Sequence, residues 1–295
     1  MNVTLKNDRM TVALSSFGAE MTGAKLDGFE YLWSPDDRYF ARVSPCLFPI
    51  TGRFTDGFYT HRGKQYPMKL NGIAMEKEFN VRQLSAHEAV MTLCDDGETR
   101  TVYPFSFLLS IRYLLDGQTL RVSYTVTNRS DEPMAYSVGN HTAYRWPLAE
   151  GDDPDSYFLR FELPETLESF SPFGWRSPYV TNESVRPLHH GLYDHGTRSF
   201  SGCRSEWLEY TGANCDFGVR MYFREFPFVA NWALPDPDAR LICLEPSLSI
   251  SSHGPSIFDR EGIRTLQAGK SETVSYALTF YRKSERTGKP EINRA

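Results

Sequence analysis

The sequence predicts an all-β protein, a large antiparallel β-sandwich with little helix, and three observations carry that prediction. Apolar and polar residues alternate with a period of two through most of the chain. The 295 residues include 20 Phe, 16 Tyr and 5 Trp beside 21 Gly and 18 Pro, a mixture that suits strands and turns. Amphipathic patterns of helical period are nearly absent.

Taken in order, strand-like alternation begins at residues 11–15 and returns at 89–93. Ile111, Tyr113 and Leu115 then alternate into Asp116-Gly117, and Leu120, Val122, Tyr124 and Val126 alternate out of it, which reads as a hairpin. A polar cluster from Asn128 to Pro133 makes the next turn. Residues 134–144 and 157–162 are the following strands. The stretch 163–204 is rich in Ser, Pro, Gly and His and reads as irregular, either the rim of a binding site or decorated loops. Strands resume at 217–223, 241–245 and 275–281, with Pro235-Asp236-Pro237-Asp238 as a turn between them. No linker-like shift in composition interrupts this series, so the expectation is one sandwich domain over residues 1–295. Face-to-face sheets would bury its apolar rows. The polar tail from about 283 is expected to fray.

Charge and composition exclude several functions. The 32 Lys and Arg are scattered and the net charge is −5, so no basic surface for nucleic acid is expected. Residues 1–10 carry Lys6, Asp8 and Arg9 without an apolar core, unlike a signal peptide. No run approaches the roughly 18 apolar residues of a membrane span. The five cysteines are odd in number, widely spaced and without a CxxC pair, which reads as reduced thiols in a cytoplasmic protein.

Three places could carry chemistry. On a strand, Ala135, Ser137, Gly139, His141 and Ala143 share a face, so His141 stands among small residues with open space above it. It reads either as a core histidine bonded to a backbone carbonyl or as a proton-exchanging group. Glu245 ends the apolar run Leu241-Ile242-Cys243-Leu244, where an unpaired carboxylate is costly. It should be ion-paired, protonated or open to a polar cavity. Arg53 follows the proline-rich run from Pro45 to Gly52 and offers a guanidinium for hydroxyl or carboxylate groups, or is a surface arginine after a turn. His189, His190 and His195 lack a carboxylate or thiolate in ligand geometry, so no metal is expected.

These places together resemble the aldose 1-epimerase (mutarotase) family, in particular its short, LacX-like bacterial branch. The matching text is Leu47-Phe48-Pro49-Ile50-Thr51-Gly52-Arg53, Asp56-Gly57-Phe58-Tyr59, Gly63-Lys64-Gln65-Tyr66, Asn71-Gly72-Ile73-Ala74, Tyr103-Pro104-Phe105, Ser137-Val138-Gly139-Asn140-His141, Cys243-Leu244-Glu245-Pro246 and Gly262-Ile263 to Leu266. The order and spacing hold from about residue 10 to 282. The resemblance implies a galactose mutarotase-like sandwich and interconversion of the α and β anomers of a free aldose. It makes Glu245 the base, His141 the acid and Arg53 a ligand of sugar hydroxyls, with no cofactor. Aromatic faces for the sugar ring are expected from Phe79, Tyr144, Trp175 and Trp232.

The chain also departs from the family text. Asn71 and Met75 stand where His and Arg are usual, and Ser247-Leu248-Ser249 replaces Trp-x-Gly. Asn71 still offers hydrogen bonds without a charge, and Asp194 is the nearest counterpart of an acidic sugar ligand. Altered sugar specificity, or a non-catalytic sugar-binding or regulatory protein, fits these changes. A hexose-phosphate epimerase would need convergent arginines, with Arg42, Arg53 and Arg145 the candidates. A glycoside hydrolase would need a second carboxylate.

Overall fold

The alternating rows become pleated strands, and these build one very large sheet. The computed structural model describes residues 1–171, 174–251 and 254–285; of the polar tail, residues 286–295 lie outside the described residues. The hairpin read at Asp116-Gly117 joins Phe107–Asp116 to Thr119–Asn128, with Leu115 opposite Leu120 and a two-residue loop. Gly117 supplies φ +54° there, a value that residues with a Cβ avoid. Phe107, Leu109, Ile111, Tyr113 and Leu115 are all buried, so the row that alternates in sequence is the row that meets the core.

Among the described residues the main sheet has 15 antiparallel strands. The half that matters for function runs Cys46–Leu47, Gly139–Asn140, Leu241–Ser247, Phe228–Trp232, Arg198–Ser201 and Tyr157–Phe170. A second sheet of four strands, Asn2–Lys6, Met10–Ser15, Glu20–Leu26 and Phe29–Glu30, adds its own buried row to the same core. The antiparallel β-sandwich is thus the observed fold.

Two sequence expectations change. Residues 163–204 are not mainly irregular: Tyr157–Phe170 and Arg176–Pro187 form a long arm of paired strands. Three register shifts between Arg160 and Glu168 break its alternation, which is why no period shows in the text. Conversely, residues 134–144 are not one strand but three short ones, Met134–Tyr136, Gly139–Asn140 and Thr142–Arg145. Met134–Tyr136 pairs with Arg264–Leu266 in a separate ribbon, so Ala135 does not share a sheet face with His141.

Candidate active site

His141 and Glu245 are neighbours because of strand register. Gly139 lies opposite Ser247 and Thr142 opposite Leu244, and the same antiparallel count sets His141 opposite Glu245. Their side chains meet with His141 Nε2 3.3 Å from Glu245 Oε1, and only 13% and 12% of them is exposed. Both line an open cleft of about 790 Å³. Gly139 keeps the floor flat: a Cβ there would stand 2.8 Å from the Thr51 methyl and 2.9 Å from Pro246 O.

The surroundings of the pair are mostly carbon. Phe40 and Trp232 contact the imidazole ring, Ala230 sits opposite Glu245, and Leu47 opposite Gly139. Burial therefore works on both groups in the same sense, against charge. It pushes the Glu245 carboxyl up to about 8 and the His141 imidazole down to about 4. Both shifts favour the uncharged form of the pair, a neutral imidazole beside a protonated carboxyl. Moving that proton across the 3.3 Å contact would give the imidazolium–carboxylate form without changing the proton count. Chemically, such a pair can give one proton and take another at adjacent points.

The wall beside the pair is a tightly bound loop, residues 51–53. Asn71 accepts from Gly52 N–H through Oδ1 at 2.7 Å, and its own N–H donates to Gly52 O at 2.8 Å. Arg53 N–H donates to Ser251 Oγ at 3.1 Å. Arg260, buried beneath, donates to Thr51 O, to Arg53 O at 3.0 Å and to Ile250 O at 2.7 Å, with its guanidinium over the Phe54 ring. Arg53 itself is exposed and lines the cleft. Asn71 also lines it, at φ +63°, a conformation asparagine tolerates better than most residues. Its side-chain carbonyl oxygen is taken up by Gly52 N–H.

Of the residues singled out in the sequence, His141, Glu245, Arg53 and Asn71 come together in this cleft. Asp194 does not: it is exposed, follows the short 3₁₀ turn His190–Tyr193, and is absent from the cleft lining. Trp232 lines the cleft, whereas Phe79 and Tyr144 are buried in the core and Trp175 stacks with His195 and has the Arg198 guanidinium over its ring. Arg42 is paired with Glu20 at 2.8 Å and Arg145 is exposed elsewhere, so the three arginines do not converge. His190 stacks on Trp146 and reaches Leu234 O; among the described residues no group of His, Cys, Asp and Glu could hold a metal ion. Phe40, Arg260 and Ser251 were not legible in advance, since each acts through a partner remote in sequence.

An imidazole and carboxyl in contact at the floor of an open cleft, lined also by Thr51, Thr197, Ser199, Ser247 and Ser249, on a large antiparallel sheet, belongs with the mutarotase-like β-sandwiches. The aldose 1-epimerase family model matches residues 1–183, and the chain belongs to the aldose 1-epimerase family. That span holds Arg53, Asn71 and His141; Glu245 lies beyond it and is brought in by the register. The plasmid-encoded protein LacX of Lactococcus lactis is 27% identical over 298 residues, covering 95% of this chain and 99% of that one. A galactose mutarotase related enzyme from Lactobacillus acidophilus superposes with a TM-score of 0.90 at 26% identity, over 98% of this chain and 100% of that one. A galactose mutarotase-like protein from Lactobacillus casei gives 0.89 at 25% identity, over 95% and 100%.

Proposed function

We propose that this protein is a carbohydrate epimerase that interconverts the α and β anomers of a neutral aldose by opening and reclosing the ring. The observation that carries the reading is the direct His141–Glu245 contact in the cleft. Mutarotation must remove the proton from the anomeric hydroxyl while delivering one to the ring oxygen. Both oxygens are bonded to C1, so the acid and the base must be close neighbours, as cross-strand partners are. The C1–O5 bond breaks, C1=O forms, rotation about C1–C2 turns the other face of the carbonyl to O5, and reclosure returns both protons.

In this reading Glu245 is the base and His141 the acid once the shared proton sits on the imidazole. The proton-on-carboxyl form runs the same exchange with the roles reversed, and reversibility requires both. Arg53 and the Asn71 amide bind sugar hydroxyls. A neutral substrate is favoured over a sugar phosphate because two cleft cations already have carboxylates: Lys69 lies 2.5 Å from Glu76 and Arg176 lies 3.1 Å from Glu168. The chain works as a single domain in the cytoplasm without a cofactor; among the described residues no helix is long and apolar enough to cross a membrane.

The test is equilibration of a freshly dissolved pure anomer, followed by polarimetry or NMR. Glu245→Gln and His141→Asn should each slow catalysed exchange by about 10²–10⁴-fold. Saturable sugar binding with no acceleration in the wild type would replace the enzyme by a sugar-binding protein on the same scaffold.

A further inference from the structure

Two stretches of chain pair with the strand Thr142–Arg145 and with His141 just before it. On the edge turned away from Leu241–Ser247, Trp33 N–H donates to Ala143 O at 3.0 Å and Arg145 N–H to Tyr31 O at 3.1 Å. Next to them on the same edge, Ala143 N–H donates to Val43 O at 2.7 Å and His141 N–H to Pro45 O at 3.2 Å. Residues 34–42 are therefore a loop with both ends tied to that strand. Within it Phe40 N–H donates to Asp36 O at 2.9 Å, and Trp33 Nε1 donates to Phe40 O at 2.8 Å. Trp33, Tyr39 and Phe40 pack on a small buried cluster of Ala143, Leu241 and Cys243.

This loop sets the Phe40 ring against the imidazole of His141, with centroids 4.8 Å apart and planes 23° from parallel. Trp232 meets the imidazole edge-on at 5.6 Å and Phe40 at 5.7 Å, so three rings lock one another. A working imidazole is ordinarily oriented by a hydrogen bond at the nitrogen turned away from the chemistry. Here Nδ1 is buried and, among the described residues, is held by no other residue, with only its own main chain beside it. Something else must fix the ring plane.

We propose that Phe40 is a positioning residue: its face, carried on a loop pinned to His141 and the strand after it, holds the imidazole with Nε2 toward Glu245. The role rests on reading His141 and Glu245 as the proton-exchanging pair, although the ring's placement is measurable without it. Glu245 is the titratable group facing the imidazole, with Cys243 two residues along its strand; Phe40 and Trp232 face it with aromatic carbon. Phe40→Leu stays apolar but loses the flat face and part of the volume that shields the imidazole from water, whereas Phe40→Tyr keeps both.

The experiment combines an NMR titration of the His141 imidazole, assigned with His141→Asn, and kcat and KM for anomer exchange. In Phe40→Leu the His141 midpoint should rise by about one unit toward its ordinary value. kcat should fall roughly tenfold, because a ring misplaced by an ångström loses its alignment, and KM should stay within about threefold. Phe40→Tyr should resemble the wild type in both. Phe40→Met repeats the test should Leu unfold the loop. An unmoved titration overturns the proposal, whether kcat is also unmoved or KM alone rises, since the latter makes Phe40 only a wall of the cleft. If the wild type shows no anomer exchange, the enzyme reading fails, while a shifted titration still upholds Phe40 as the residue that places the imidazole.

Discussion

Replacing Glu245 with Gln should stabilise the fold, and by more as the pH rises. The carboxyl ionises at about 8 in the folded protein against an ordinary value of 4.5, with burial as the cause. A raised carboxylate pKa means that between those two values the native state holds a proton that the unfolded chain has released. Stability therefore falls by about 1.4 kcal/mol for each pH unit across that window and levels off above it. From pH 5 to pH 9 the loss comes to about 4 kcal/mol. Gln keeps the shape and carries no charge, so the variant escapes it.

Urea titrations of both proteins at pH 5, 7 and 9 provide the assay, with equal m-values as the check that the same transition is compared. The stability difference should grow from under about 1 kcal/mol at pH 5 to about 4–5 kcal/mol at pH 9. The His141 contribution has the opposite sign, because its pKa is lowered: it adds stability as pH rises from about 4 to 6.5. Both proteins retain that histidine, so its contribution largely cancels. A difference that stays flat from pH 5 to 9 would refute the argument, since the carboxylate would then be as well solvated in the fold as outside it.

The same inventory gives the rate a bell-shaped pH dependence. Activity should fall below about pH 4, where the pair takes a second proton, and above about pH 8, where it has none to give. Asn71→Ala removes the acceptor that holds Gly52 N–H and puts Ala at φ +63°; calorimetric or denaturant unfolding should show a loss of about 2–3 kcal/mol, with KM rising more than kcat falls. Arg260→Met strips three carbonyls of their donor and should cost about 3 kcal/mol or more, raising KM about tenfold at nearly constant kcat.

The legible parts of the sequence were those where local pattern and final environment agree. Phe107 to Leu115 alternate because one row meets the core, and the hairpin at Gly117 follows from local sterics alone. His141 and Glu245 stood out as polar residues in apolar strands, and the family text placed them at one site. Their contact depends on a pairing between residues more than a hundred positions apart, which no local pattern contains. The arm of residues 157–187 was hidden by its register shifts, and the single strand expected at 134–144 by breaks that pattern does not mark. Arg260 and Phe40 were invisible for a related reason. One is defined by three carbonyls it satisfies and the other by a ring it faces, and neither partner is nearby in the chain. Asp194 and Tyr144 show the converse, residue types suited to a sugar site that the fold puts elsewhere.

The proton pair stands on a ladder of backbone hydrogen bonds, whereas Arg53 and Asn71 stand on loops clipped together by side chains. A ladder shifts by whole residues and would carry His141 to the opposite face of the sheet in a single step, so small sequence drift leaves the pair alone. The loops accept substitutions one at a time. Under the proposed function, such a protein can change which sugar it grips without retuning how protons move, and Asn71 and Met75, where the family usually has His and Arg, line the loop side of the cleft.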